Sequence, residues 1–278
     1  MVLRRSRPPF GSTKGPVAFQ VLSDLHLEVS GEYDSVEIPV RSKYLILAGD
    51  VGRLADYKEY LEFLQKQTRN FQTVFLVLGN HEFHDLSFES TLEKARDLEQ
   101  EPCLNGRLVL LHQRRFDVPE SSITIVGSAL WSHIPDEAKD NVRSRSKDFK
   151  RIEDWTVEKH NAAHESDLIW LREEVHSIHQ ENQNRHSDER SIVVVTHHAP
   201  SLHKTSKPEY ANSPWSSSFA TDLLSQQWDG VKAWVFGHTH YSTRFKDNGI
   251  LVVSNQLGYK PLSETGPNQF DPAMVICI

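Results

Sequence analysis

Five short apolar runs in this chain end in residues that hold metals or move protons. Residues 17–22 lead into Ser23-Asp24-Leu25-His26, residues 44–48 into Gly49-Asp50, and residues 74–78 into Gly79-Asn80-His81-Glu82. Residues 192–195 lead into Thr196-His197-His198, and residues 233–236 into Gly237-His238-Thr239-His240. Carboxylate oxygens, an amide oxygen and imidazole nitrogens form a mixed O/N donor set with no thiolate. Such a set suits Mn²⁺, Fe, Zn²⁺ or Co²⁺ better than a calcium cage or an iron–sulfur cluster. Asp24, His26, Asp50, Asn80, His197, His238 and His240 make seven donors, too many for one ion and fitting two that share a carboxylate. Metal pairs about 3.5–4 Å apart clamp the attacking and leaving oxygens in phosphoryl transfer.

Each motif is weak on its own. Asp-x-His and Gly-Asp are ordinary turn chemistry. Gly-Asn-His-Glu says more, as does Gly-His-Thr-His, where an extended backbone would put both imidazoles on one face. Five such motifs, each directly behind a strand-like run, are hard to ascribe to coincidence.

The elements that must position them are short strands rich in Val, Ile and Phe. Besides the five named, residues 108–111, 123–126, 250–253 and 274–278 have the same character. Several are continuous rather than alternating, as in strands covered on both faces. Residues outside the carboxyl ends of such strands gather around ligands in open α/β sheets. Helical spacing appears over 57–69 (Tyr60, Leu61, Leu64), at Leu168, Leu171, Val175 and Ile178, and over 218–228 (Phe219, Leu223, Leu224). Asp247-Asn248-Gly249 reads as a hairpin turn. The polar stretch 132–158 has weak periodicity and reads as a lid or surface insertion. Residues 1–16 read as a mobile leader and 17–278 as one domain of α/β class.

The 278 residues carry 31 Lys and Arg against 38 Asp and Glu, a net charge of −7. That balance argues against nonspecific binding to nucleic acid or acidic membranes. It leaves room for a phosphate substrate where metal ions supply local positive charge. No apolar run approaches the roughly 18 residues of a membrane span, and the basic N-terminus lacks the apolar stretch of a secretory signal. Two cysteines are too few for a disulfide framework. A soluble cytoplasmic protein is expected.

The five blocks, in this order over residues 23–240, resemble the calcineurin-like metallophosphoesterase superfamily. Val21 to Glu28, Ser128-Ala129-Leu130-Trp131, Thr196-His197-His198-Ala199-Pro200 and Gly258-Tyr259 resemble a microbial branch of uncharacterised members. The resemblance implies a four-layer α/β/β/α sandwich with two mixed β-sheets. It assigns Asp24, His26 and His240 to one metal, Asn80, His197 and His238 to the other, and Asp50 to both. It makes His81 the catalytic group that assists the leaving oxygen and a metal-bound hydroxide the nucleophile, with Mn the favoured ion. The implied activity is hydrolysis of phosphomonoesters or phosphodiesters of a small molecule.

Around this set, His84, His198 and Arg53 are candidates to touch substrate, although Arg53 could equally pair with a surface acid. Glu82 is expected to orient ligands. Trp131, His133, Tyr210, Trp215, Asn255 and Tyr259 could shape a pocket or simply pack. The pairs His160/His164 and His176/His179 have helical spacing, for which a solvated face is the expectation. A protein phosphatase is disfavoured because Val51-Gly52-Arg53-Leu54 replaces that branch's Asp-Arg-Gly triplet, and a DNA nuclease because the charge is acidic. Gly11–Gly15 lacks the ending of a phosphate-binding loop. The alternative from another class is an inactive metal-binding interaction module, against which the intact His81 and seven donors argue. Oligomeric state is left open.

Overall fold

A computed structural model describes residues 15–184, 189–211, 213–259 and 270–278. Most of the expected leader, residues 1–14, lies outside the described residues. The continuous apolar runs fall on strands, and the strands in chain order are β1 (Ala18–Leu22), β2 (Tyr44–Ala48), β3 (Thr73–Val77), β4 (Leu108–Leu110), β5 (Arg114–Asp117) and β6 (Ile123–Ser128). Then follow β7 (Ser191–Thr196), β8 (Val231–Phe236), β9 (Thr243–Asp247), β10 (Ile250–Ser254) and β11 (Val275–Cys277). Helices are α1 (Leu27–Ser30), α2 (Tyr57–Asn70), α3 (Phe88–Gln100), α4 (Lys139–Arg145), α5 (Asp148–Arg151) and α6 (Val157–Gln183).

Two mixed sheets result, ordered β11-β1-β2-β3-β4 and β5-β6-β7-β8-β10-β9. Neighbours from β1 to β4 run parallel, with β11 antiparallel at one edge. In the second sheet β6, β7, β8 and β10 are parallel, with β5 and β9 antiparallel at the edges.

Alternation within β2 explains the layering. Tyr44, Ile46 and Ala48 join Phe75, Val77, Ile125, Val193, Val195 and Val235 in a core between the sheets. Leu45 and Leu47 face the other way, into a core with Tyr60, Phe63 and Leu64 of α2 and Leu92, Ala95 and Leu98 of α3. On the far side, Val194, Trp234, Phe236 and Val252 pack with Leu171, Val175 and Ile178 of α6. The protein is therefore an α/β sandwich. Fully burying one such aliphatic side chain stabilises by about 1.5–3 kcal/mol, which is why both faces of these strands are apolar.

Two expectations need correction. Residues 218–228 are not a helix: Ala199 and Phe219 to Thr221 exchange backbone hydrogen bonds in a short parallel bridge, which takes the groups a helix would use. Leu223 and Leu224 are still buried, under the second sheet. Within the stretch 132–158, read as a lid or surface insertion, Ile134, Ala138, Val142 and Val157 build a small core of their own around α4. His160 and His164 are buried rather than solvated: His160 Nε2 lies 3.3 Å from Ser132 Oγ, and His164 Nδ1 donates to the Trp131 carbonyl. His176 and His179 sit on the polar face of α6, each with a glutamine four residues on.

Strand β5 and helix α3 are among the elements that passed unnoticed in sequence. Strand β5 is a charged edge strand whose Arg114 and Arg115 pair with Glu99 and Glu181, a composition that hides strand character. Helix α3 did carry a signal, since Ser87 caps it in a reciprocal pair with Ser90. At the hairpin, Asn248 and Gly249 both take positive φ (45° and 82°) between paired Asp247 and Ile250.

Candidate metal centre

The carboxyl ends of β1, β2, β3, β7 and β8 meet on one side of the sandwich, and the loops behind them are tied together. Asp24 N–H donates to the Gly49 carbonyl, His26 N–H to Asp50, and Gly237 N–H to His197. Donors from both sheets thus come to one place, although Asp24 and His240 lie 216 residues apart in sequence.

The backbone there is bent sharply. Asp24, His26, Asp50, His238 and His240 have φ of 54°, 49°, 52°, 72° and 50°, the left-handed region that non-glycine residues avoid. Each such residue costs about 1–3 kcal/mol, so the surrounding hydrogen bonds must hold it. Glycine sits where side chains leave no room. A Cβ on Gly79 would meet Asp50 Oδ1, and one on Gly49, at φ 88°, would meet the His197 ring.

Asp50 stands between two groups of donors. Its Oδ2 is 3.8 Å from His26 Nε2 and its Oδ1 is 3.4 Å from His197 Nε2. Around the first, His26 Nε2 and His240 Nε2 are 2.8 Å apart, and Asp24 Oδ1 is 3.5 Å from His240 Nε2. Around the second, His197 Nε2 lies 3.1 Å from Asn80 Oδ1 and 3.2 Å from His238 Nδ1.

Hydrogen bonds on the outer side of these rings decide which atoms face inward. His197 Nδ1–H donates to the Ala48 carbonyl at 2.9 Å, and His238 Nε2–H donates to Ser218 at 3.2 Å. In those tautomers His197 Nε2 and His238 Nδ1 present lone pairs to each other and to the Asn80 oxygen. A cation among these three atoms relieves the repulsion of their electron pairs, so this donor set fits a metal ion; without one a proton can serve, because Asp50, against the effect of burial, raises the His197 imidazole to about 9. The groups Asp24, His26, Asp50, His240 and Asp50, His197, His238 are each compact enough to hold one.

Glu82 secures the Asp50 loop. Its carboxylate accepts from the N–H groups of Asp50, Val51 and Gly79 and from Tyr60 Oη. Burial and the neighbouring Asp50 raise its carboxyl to about 7. Asp50 is held well below the usual carboxylate range: burial opposes ionisation, but His197 and His81 beside it prevail.

His81 lies next to the donors without joining the two groups that share Asp50. Its backbone N–H donates to Asp50 Oδ1, its Nδ1 is 2.7 Å from Glu28 Oε1, and its Nε2 is 3.2 Å from Tyr259 Oη. Burial disfavours its imidazolium, yet Asp50 and the Glu28 hydrogen bond raise it to about 9.

The other expected contacts fall differently. Arg53 does not line the site cavity. It pairs with Asp56 and, at 2.5 Å, with Asp85, the surface-acid alternative. His84 is buried under the site, with Nε2 2.9 Å from Asp148 Oδ1. His198 is buried between Trp131 and His238, and neither of its ring nitrogens has a partner among the described residues. Asn255 ties the Val21 and Asp271 carbonyls together, Trp131 packs in the core, and Tyr210, Trp215 and Tyr259 line the cavity.

Glu28 and Asp148 were not singled out in sequence. Glu28 stands two residues past His26 on one turn of helix, a spacing that could have revealed it. Asp148 has no local signal.

Strand-end carboxylates and imidazoles on two facing mixed sheets are the arrangement of a metallophosphoesterase. A family model described as Calcineurin-like phosphoesterase matches residues 19–242, and the chain belongs to that family. It is 29% identical over 260 residues to an uncharacterised protein of Acanthamoeba polyphaga mimivirus, covering 86% of this chain and 90% of that one. Among solved structures it is similar to the phosphopantetheinyl hydrolase of Mycobacterium tuberculosis (TM-score 0.64, 17% identity, 89% and 91% of the two chains). It is also similar to a dimetal phosphatase of Danio rerio (TM-score 0.50, 14% identity, 88% of each chain). Those structural likenesses concern the fold. No helix among the described residues is long and apolar enough to cross a membrane.

Proposed function

We propose that this protein is a dinuclear metal-dependent phosphoesterase acting on a small-molecule phosphoester. The observation that carries the reading is the position of Asp50, one oxygen toward each donor group, with the His81 imidazole immediately beside it. Asp24, His26 and His240 would hold one ion and Asn80, His197 and His238 the other, with Asp50 shared. Bound divalent ions, Mn²⁺ being the first to try, supply positive charge to phosphoryl oxygens and make water acidic enough to attack at neutral pH.

The chain's own part is positional and acid–base. Glu28 fixes the His81 ring through Nδ1, which leaves Nε2 toward the cavity and Tyr259. As water forms its bond to phosphorus and the phosphorus–oxygen bond to the leaving group breaks, His81 Nε2 gives its proton to the departing oxygen. Its imidazolium also offsets the negative charge that grows on the phosphoryl group. An inactive interaction module would have no use for an imidazolium held in this way.

The test is hydrolysis of bis(p-nitrophenyl) phosphate and p-nitrophenyl phosphate by Mn²⁺-reconstituted protein, with His81→Ala as control. Turnover of either ester, lost in the variant, supports the reading. Two bound metals with no turnover of any phosphoester would revive the interaction module.

A further inference from the structure

The metal-facing residues open into a cavity of about 570 Å³, within the roughly 300–1,000 Å³ range of sites that take whole small molecules. Asp50, His81 and His238 form one end, and Arg145, Lys147 and Lys207 also line it. These cations come from two separate insertions, one behind β6 and one behind β7. In a chain of net charge −7, three cations around one cavity stand out because none of them is ion-paired among the described residues. Among the described residues no carboxylate lies within 4.0 Å of any of the three. Their neighbours in the same stretch are paired, Arg143 with Asp140 and Arg151 with Asp85.

Two of these cations are also held in place. The Arg145 guanidinium lies over the Trp215 ring at 4.1 Å, and Lys147 Nζ is 5.9 Å from the centre of the Tyr259 ring. Stacking on a ring fixes direction without using up the hydrogen-bond donors. Tyr259 touches the reacting end as well, through its hydroxyl at His81 Nε2. The distance from His81 to Lys147 is therefore spanned by a single tyrosine, a few bonds of substrate.

We propose that Arg145, Lys147 and Lys207 form a subsite for a second anionic group of the substrate, a phosphate or its equivalent. The preferred substrate class is then a phosphoester that carries a second phosphate a few bonds from the scissile one. This rests on the phosphoesterase reading and narrows it. A guanidinium can grip a phosphate with two parallel hydrogen bonds, and binding of a remote group serves catalysis at the reacting one.

The experiment compares two esters with the same scissile bond: thymidine 5′-(p-nitrophenyl phosphate) bearing either a 3′-hydroxyl or a 3′-phosphate. p-Nitrophenol release is followed with Mn²⁺-loaded protein, its Arg145→Gln and Lys147→Gln variants, and Lys150→Gln, an exposed residue outside the cavity, as charge control. The expected result is a preference of about ten-fold or more in kcat/KM for the 3′-phosphorylated ester, carried mainly by KM. That ratio should fall toward one in both cavity variants and persist in Lys150→Gln. Cleavage of both esters at equal efficiency by the unmodified protein would overturn the subsite and leave the phosphoesterase reading intact. If neither is cleaved, the phosphoesterase reading rests on the two nitrophenyl phosphates above, and the subsite is decided by calorimetric binding of thymidine 3′,5′-bisphosphate against thymidine 5′-phosphate. Tighter binding of the bisphosphate, lost in Arg145→Gln, upholds it; equal binding overturns it.

Discussion

Asp148 accepts the side-chain amide of Asn80 at 2.8 Å, and in doing so decides which atom Asn80 turns toward His197. An ionised carboxylate only accepts hydrogen bonds, so the amide nitrogen must face it and the oxygen must face the donors. The same Asp148 Oδ1 takes His84 Nε2 at 2.9 Å, and Ser146 Oγ donates to Oδ2. Burial would raise this carboxyl, but hydrogen bonds from His84 and Asn80 hold it well below its usual range.

Asp148→Ala should therefore weaken one of two metal sites and spare the other. Losing such an outer partner typically costs about 10–100-fold in affinity. Metal titration followed by elemental analysis should find two ions in the unmodified protein at limiting excess and close to one in the variant. Two ions held with unchanged affinity would show that Asn80 needs no such support.

His81→Ala should retain both metals and lose turnover by about 10²–10⁴-fold, the usual contribution of a positioned acid. Glu28→Gln should fall between, because it keeps a hydrogen bond to Nδ1 but removes the charge that favours the imidazolium. Metal content and kcat measured on the same samples separate this outcome from simple loss of the centre.

Gly79→Ala tests the tight approach of β3 to the Asp50 carboxylate. The added methyl would occupy the place of Asp50 Oδ1, so metal binding should fail along with activity while the strands remain. Far-UV circular dichroism should be unchanged and metal content should drop below half. A variant with full metal content would mean that the loop shifts at little cost.

Acid should destabilise the metal-free chain through its buried histidines. Burial pushes His160 and His164 down to about 4 from 6.5, so between those values the unfolded chain binds more protons than the folded one. Their stabilising contribution is present above pH 6.5 and is lost as pH falls toward 4. His164→Gln should flatten the decline of the urea midpoint between pH 6.5 and 4.5. Asp167 works in the opposite direction, raised by burial to about 6, and cancels in that comparison.

Much of the centre is legible in one chain because each donor follows its strand directly. A strand that ends in Asp, Asn or His announces both its direction and its chemistry, so Asp24, His26, Asp50, Asn80, His197, His238 and His240 could be named from local order alone. Strand β2 and helix α2 were legible for a similar reason, since a buried run or an apolar stripe repeats itself in sequence. The edge strand β5 was not, because its arginines are balanced by carboxylates on other elements.

The sequence by itself determined which residues could bind metal and which strands would carry them, because those properties belong to side-chain type and near spacing. Only the tertiary structure decided the partners that aim them. Glu28 meets His81 across 53 residues, Asp148 meets Asn80 across 68, and Ala48 meets His197 across 149. The cations of the cavity likewise come together only when α4 and the segment behind β7 close over the same opening. Contacts of that length arise from how two sheets stack, and no local pattern encodes them.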